Sequence, residues 1–390
     1  MSSLLAEGQT LISEQNQMQS RILLVAGAWD NLAEMPYLIR QSGYYADILC
    51  PKDNISRHSS FLNQWIDSGN SWASLIKILI ELDQSAVYSH ILIGEDPLLW
   101  QIYDEPIKDL THLLPIREPK ARSMIGKIHF AQLCLDLDIA SPKFSIIESP
   151  EHAKTALMQL DLPMVTKVNY SSAGQGVRIH RDRTSLLEYV AQYEFTQPLL
   201  AQNFIEGETL SVEALFSNGQ LLEYICSVDI DPTLGPSTKR RYMPRISEIG
   251  SMLKRLGEFT KLHGFANVTI LREVSSGALY LIEADPRPNK WVHYAHWFGA
   301  NFAEAFRLFM NNDQLSNPPH LNYLAENIVT HWNIEHFDTH FLKLLRADKP
   351  LNAVIHLLDF DNTLRYVLHD PSLLREKTLR LRKQFNDNFD

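Results

Sequence analysis

The segment ALYLIEADPRPNKWVHY (278–294) sets Glu283 and Asp285 on either side of Ala284, so both carboxylates project from one face of a strand. Two acids at that spacing can grip a magnesium ion between phosphate oxygens, and Arg287, two residues on, can meet an anionic oxygen. A half-buried strand seldom turns two acids inward without a cation, because an unpaired buried charge is costly; the competing reading is a structural ion pair. Upstream, LPMVTKVNYSSAGQGVRI (162–179) reads as a strand ending in Lys167, a small-residue loop with Gly174 and Gly176, and a second strand. A lysine beside such a loop sets one fixed cation and several backbone N–H donors around phosphates; a plain hairpin has the same outline. LLAQNFIEGETLSVEAL (199–215) is an apolar strand, a short connection and a second strand that carries Glu208 and Glu213. Its connection can pair with an adenine ring through backbone groups while an acid or hydroxyl meets the ribose, or it is a surface hairpin. DPTLGPSTKRRYMPR (231–245) carries Lys239, Arg240 and Arg241 between prolines and a glycine, either to cover a site and bind an acidic substrate or as a solvated basic loop.

These residues need elements to hold them. RILLVAGAWD (21–30), a helical pattern to Gln41 and YYADILCP (44–51) give a β-α-β opening; after a serine-containing loop, a helix over 71–83 and the strand SHILIGEDP (89–97) follow. Strands alternating with helices predict a parallel sheet. Only Gly27 follows the first strand, so the dinucleotide fingerprint is incomplete and NAD is not assigned. A long connector helix is expected over 119–140, closed by Ser141-Pro142. Beyond 144 the order is strand, helix (150–160), strand (163–168), glycine loop, strand (176–180) and helix (183–193), an α+β rhythm. A hairpin turn is predicted at Asn218-Gly219, a helix over 246–262, and two strands flanking Ser275-Ser276-Gly277, before a mostly helical remainder.

Composition narrows the function. A chain of 390 residues exceeds one hydrophobic core. Its formal charge of −10 argues against broad binding to nucleic acid or anionic membrane. Cys50, Cys134 and Cys226 are far apart, which predicts a reduced cytoplasmic setting and no structural zinc. Residues 1–20 lack a signal-peptide pattern, and no apolar run reaches membrane-spanning length.

Taken in this order, the segments resemble the ATP-grasp superfamily, which includes D-alanine ligase, biotin carboxylase and carbamoyl-phosphate synthetase; the resemblance covers about 20–312. It implies a Rossmann-like α/β domain over 20–118, an α+β ATP-grasp domain over 119–312 and a mostly helical extension over 313–390. It also implies that Lys127 on the connector helix, Lys167, Ser172 and Gly174 contact nucleotide phosphates. The adenine hinge matches Gln202, Asn203, Phe204 and Ile205, with Gln202 where the family often has glutamate. Glu283 and Asp285 match the metal ligands of a Glu-x-Asn-x-Arg signature, and Arg287 with Lys167 stabilises the transferred phosphoryl group. Asn289, Arg287 and Arg241 are expected to meet substrate. Two departures stand out: Thr269 sits where the first metal ligand, acidic or Gln, is usual, and the ribose acid falls at Thr209, with Glu208 and Glu213 as neighbours. The implied cofactors are ATP and Mg²⁺, and the implied partners are a small-molecule carboxylate and an amine or thiol, with a homodimer possible. The implied reaction is carboxylate activation through an acyl phosphate; the alternative is a nucleotide-binding pseudo-enzyme with a regulatory or interaction role, and a third reading is phosphoryl transfer to a hydroxyl.

Three further signals are set aside. LLDFDNTLR (357–365) copies the opening motif of haloacid dehalogenase-type phosphatases, but the 25 residues after it are too few for the rest of that site. His293 and His296 have helical spacing for a metal pair, though packing is the simpler role. REKTLRLRK (375–383) reads as a solvated helix face.

Overall fold

The computed structural model describes residues 21–104, 107–117, 120–171, 174–229, 240–311, 328–329 and 370–387. They fall into two compact units: 1–114 with 287–322 and 329–390, and 115–286 with 323–328. The chain thus passes from one unit to the other between Pro286 and Arg287.

In the first unit, β1 (Arg21–Val25), β2 (Tyr45–Cys50), β3 (Leu62–Asp67) and β4 (His90–Ile93) form a parallel sheet in the order β3-β2-β1-β4. Strand β1 is central and reads RILLV, buried after its first residue, as a parallel strand covered on both faces requires. The serine-containing loop after β2 contains an unforeseen strand. Edge strand β3, LNQWID, has no fully buried residue, so it carries none of the apolar run that betrays a central strand. Helices α1 (Met35–Gln41), α2 (Trp72–Gln84) and α3 (Asp96–Asp104) accompany the sheet.

The second unit holds two antiparallel sheets. One consists of β5 (Phe144–Ile147), β6 (Met164–Val168), β7 (Val177–His180) and β8 (Leu199–Asn203) in the order β5-β8-β6-β7. The larger is built on β9 (Gly207–Ser217), β10 (Gln220–Asp229), β11 (Arg240–Met243), β12 (Gly264–Glu273) and β13 (Leu279–Asp285). Its order is β13-β12-β9-β10-β11, continued at the β11 edge by the two-residue strand β14 (Ile328–Val329). The β9–β10 turn carries Asn218 at φ 48° and Gly219 at φ 90°, the double left-handed geometry that an Asn-Gly hairpin supplies.

The expected connector helix is shorter than 119–140. A 3₁₀ turn covers Ala121–Met124, Gly126 takes φ 81°, and only then does α4 (Lys127–Asp136) begin. A side chain at Gly126 would be strained at that φ and would press on Tyr170 and Asn169. Helices α5 (Pro150–Gln159), α6 (Arg183–Gln192) and α7 (Ser247–Thr260) lie close to their expected spans. The core of this unit gathers Phe130, Leu133 and Cys134 of α4, Ile249, Leu253 and Leu256 of α7, and one face of the large sheet, including Leu210, Val212, Cys226, Val228, Val268, Ile270, Leu281 and Ala284.

After α8 (Phe302–Asn311), most of the expected helical extension, including 357–365, lies outside the described residues. Helix α9 (Pro371–Asp387) is described; Arg375, Thr378, Leu379 and Lys383 are exposed, in keeping with the reading of 375–383 as a solvated face, but Lys377 departs from it. Lys377 is fully buried and donates to Glu34 Oε1 at 2.8 Å, both in the first unit. Asp370, just before this helix, accepts from Ser59 Oγ, Ser60 N and Ser60 Oγ. No helix among the described residues is long and apolar enough to cross a membrane.

Candidate functional site

The large sheet has an apolar face in the core and a polar face opposite. Directly paired residues share a face, so the register gives the polar face row by row. One row runs Tyr242, Ser227, Ser211, Thr269, Glu283 across five strands, and the next runs Ile225, Glu213, Asn267, Asp285 across four. Thr269 therefore stands directly across from Glu283, and Asn267 across from Asp285. A bulge at Ile282 lets Leu281 return to the core face while both acids stay on the polar one.

Glu283 is joined there by Lys127, and Lys167 lies within electrostatic reach of both. Lys127 is the first residue of α4; its Nζ donates to Glu283 Oε1 at 2.7 Å and to the Ser171 carbonyl at 2.5 Å. Asn169 fixes this helix start: its carbonyl accepts from Lys127 N at 3.2 Å and its Oδ1 from Ile128 N at 3.0 Å. Asn169 had gone unnoticed in the sequence, although it lies two residues past Lys167. Lys167, on β6, is pushed down to about 8: desolvation lowers it most, the Glu283 charge opposes that, and Lys127 adds to it.

Of the residues expected at an adenine hinge, Gln202 and Asn203 end β8 in the small sheet. Gln202 is buried and pairs with Val165, and among the described residues its Oε1 has no hydrogen-bond partner. Asn203 Oδ1 accepts from Asp161 N, and Phe204 N donates to the Pro163 carbonyl, with Ile205 following. Gly174 lies in the left-handed region at φ 74°, and its carbonyl accepts from Val177 N. Ser172 and Lys239 lie outside the described residues.

Other expected residues have partners of their own. Glu208 is half-exposed and paired with Arg272 at 2.6 Å. Glu213 is buried, its Oε1 accepting from Arg240 Nη1 and Asn267 Nδ2, each at 2.9 Å. Arg241 pairs with Val228 on the core face of the sheet, whereas Arg240 pairs with Asp229 on the polar face. The pleat thus turns the neighbouring arginine toward the polar face. Arg287 falls in the first unit. Its Nε and Nη2 donate to the two oxygens of Asp96, each at 2.7 Å, in a buried bidentate pair, and its guanidinium lies 5.4 Å from the Trp29 ring centroid. Asn289 is in the same unit and partly buried. Beside Asp96, Glu95 accepts from Trp29 N at 2.6 Å, and burial pushes its carboxyl up to about 7. His293 packs edge-on against Tyr37 in that unit.

These donors suit a magnesium nucleotide. Glu283 and Asp285 offer hard oxygens on adjoining rows, two ammonium groups stand ready for phosphate, and Gln202 holds a buried acceptor at the hinge. Among the described residues no three His, Cys, Asp or Glu side chains cluster as a self-contained metal site, so a metal here would need oxygens from a ligand as well.

Residues 140–290 match the family model of the ATP-grasp domain. The chain is similar to the carbamoyl phosphate synthase large chain of Paenarthrobacter aurescens, 26% identical over 179 residues, which is 42% of this chain and 16% of that one. It is similar to D-alanine–D-alanine ligase of Xanthomonas axonopodis pv. citri, 27% identical over 187 residues, 43% of this chain and 57% of that one. The chain thus matches a minor part of the first relative's length and just over half of the second's. Among solved structures, an ADP complex of N5-carboxyaminoimidazole ribonucleotide synthetase gives a TM-score of 0.65 at 15% identity, covering 84% of this chain and 85% of that one. The biotin carboxylase domain of Hydrogenobacter thermophilus 2-oxoglutarate carboxylase, with MgADP and bicarbonate, gives 0.63 at 14% identity, covering 79% and 73%. At these identities the likeness is one of fold.

Proposed function

We propose, from the premise that this chain carries an ATP-grasp domain over residues 140–290, that it is an ATP-dependent, ADP-forming ligase joining a small-molecule carboxylate to an amine or thiol. The observation that carries the reading is the hydrogen bond of Lys127 to Glu283, with Lys167 near enough to feel both charges. Lys127, Lys167 and the loop at Gly174 would hold the nucleotide phosphates, and Gln202 to Ile205 the adenine. Glu283 and Asp285 would hold magnesium, which would supply positive charge against the nucleotide phosphates.

In this reading the substrate carboxylate attacks the γ-phosphorus, the bond to the ADP oxygen breaks, and an acyl phosphate forms. The nucleophile then attacks the acyl carbon and inorganic phosphate leaves. The lysines stabilise charge on the transferred group, where fixed cations contribute most. Arg240, on the polar face, is a candidate for substrate contact in place of Arg241.

Thr269 favours a second reading. A neutral hydroxyl opposite Glu283 leaves one carboxylate fewer for metal than the family pattern, which suits a nucleotide-binding module without turnover. Calorimetry with ATP and magnesium on wild type, Lys167→Ala and Glu283→Ala, followed by an ADP-release screen over pooled carboxylates and amines, separates the two. Loss of binding in the variants with substrate-dependent ADP in wild type supports the ligase. Tight binding without turnover supports the module, and no ATP binding in wild type removes both.

A further inference from the structure

We propose that Lys127 is an internal stand-in for the metal: its ammonium occupies Glu283 and bars free divalent cations until nucleotide phosphates draw it away, so that metal enters only with nucleotide. The proposal rests on the nucleotide-site reading above and adds an order of binding and a residue that enforces it.

The geometry is specific. Lys127 Nζ is bonded to the same Glu283 that would ligate the metal, at 2.7 Å, and is held from behind by the Ser171 carbonyl at 2.5 Å. The lysine side chain is 8% exposed and the glutamate side chain 33%, so the carboxylate is open to an incoming ligand while the ammonium is sheltered. The backbone of Lys127 is anchored by Asn169 at the start of α4, and Gly126 fits closely against Tyr170 and Asn169. The ammonium is thus aimed by its own helix.

The charges complete the argument. Magnesium requires oxygens at about 2.0–2.1 Å in near-octahedral array, and an ammonium bonded to one of the few available carboxylates both occupies that oxygen and repels the cation. Thr269, across from Glu283, supplies only a neutral oxygen, so Asp285 is the one other acid in these two rows that lies beside Glu283 on its strand. Phosphate oxygens reverse this balance: they attract Lys127 and supply the metal's missing ligands together. Glu283 then exchanges one cation for another.

The test is Mn²⁺ binding without nucleotide, followed by electron paramagnetic resonance on wild type, Lys127→Met and Lys127→Gln, with ADP binding measured on each and circular dichroism to check the fold. Both neutral variants are expected to bind Mn²⁺ at least about tenfold more tightly than wild type, as removal of a neighbouring unit charge implies. Adding Glu283→Gln to either should abolish the gain, and Lys127→Arg should keep metal affinity at the wild-type level. Wild type that binds ADP in the presence of magnesium, yet takes up Mn²⁺ as tightly as both variants, overturns the proposal and leaves the nucleotide reading standing. Wild type that binds no ADP overturns that reading and this proposal with it. If neither neutral variant folds, nucleotide-free wild type still decides: Mn²⁺ held there as tightly as in the presence of ADP overturns the proposal.

Discussion

Two ion pairs begin four residues apart on one segment and are built for opposite purposes. Glu283 meets Lys127 through one hydrogen bond, with its side chain 33% exposed. Arg287 meets Asp96 through two, with side chains 7% and 5% exposed. A monodentate pair with one open oxygen exchanges partners readily; a bidentate, desolvated pair does not. The segment IEADPRPN looks like a single chemical motif, yet Glu283 and Asp285 belong to β13 of one compact unit and Arg287 to the other. In this structure Arg287 works as a post for the first unit's loops, joined to Asp96 and set against Trp29.

The sharpest way to break this comparison is to truncate each pair. Arg287→Ala or Asp96→Ala is expected to destabilise the first unit by about 3–5 kcal/mol, because it strands a buried charge. Lys127→Ala should cost about 1–2 kcal/mol, since Glu283 can be solvated. Urea unfolding of the purified variants checks both, and equal losses would end the distinction.

How much of this was legible follows from range. The Asn218-Gly219 hairpin and the turn at Ser275 to Gly277 were readable because turn chemistry is local. The early halt before α4 was missed because it depends on Gly126 adopting a positive φ against Tyr170 and Asn169, a tertiary fit. Strand β3 escaped because an edge strand needs no apolar run. Arg240 and Arg241 could not be told apart, as the face each takes is fixed by β11 pairing with β10. Asp96, 191 residues from Arg287, leaves no mark near its partner in the sequence.

Acidity sharpens the comparison next. Glu95 in the first unit is raised by burial from 4.5 to about 7, helped by the Asp96 charge and opposed by the Trp29 and Gly27 amides and by Arg287. The folded state therefore holds a proton that the unfolded chain releases, so this contribution is fully present below pH 4.5 and is lost as pH rises toward 7. It amounts to about 3 kcal/mol at most. In the second unit, burial lowers His180 and His263, so their contributions are lost as pH falls through the unfolded histidine range. His58 in the first unit shares that sign, so the difference between wild type and Glu95→Gln isolates the carboxyl. Unfolding from pH 4.5 to 8 should show wild type losing stability relative to this variant as pH rises; parallel curves would contradict it.

The smallest expected change concerns Lys167, where stability and function should part. Desolvation is the main cause that lowers its ammonium from 10.5 to about 8, and Lys127 adds to it while Glu283 offsets only part. The unfolded chain takes up protons more readily than the folded one between those values, so a stability deficit is present at neutral pH and is relieved as pH rises through 8 to 10.5. Lys167→Met removes the charge and keeps most of the apolar stem. It should raise stability at pH 7 by about 1 kcal/mol, less than the shift alone implies because the Glu283 attraction and some packing go with it. It should also weaken ADP binding at least about tenfold through the lost phosphate contact. Calorimetry for ADP and urea unfolding at pH 7, run on one preparation, read both. A variant that loses stability as well as affinity would show Lys167 to be a structural cation like Arg287, and the contrast between an exchangeable cluster and a fixed post would then fail at its own centre.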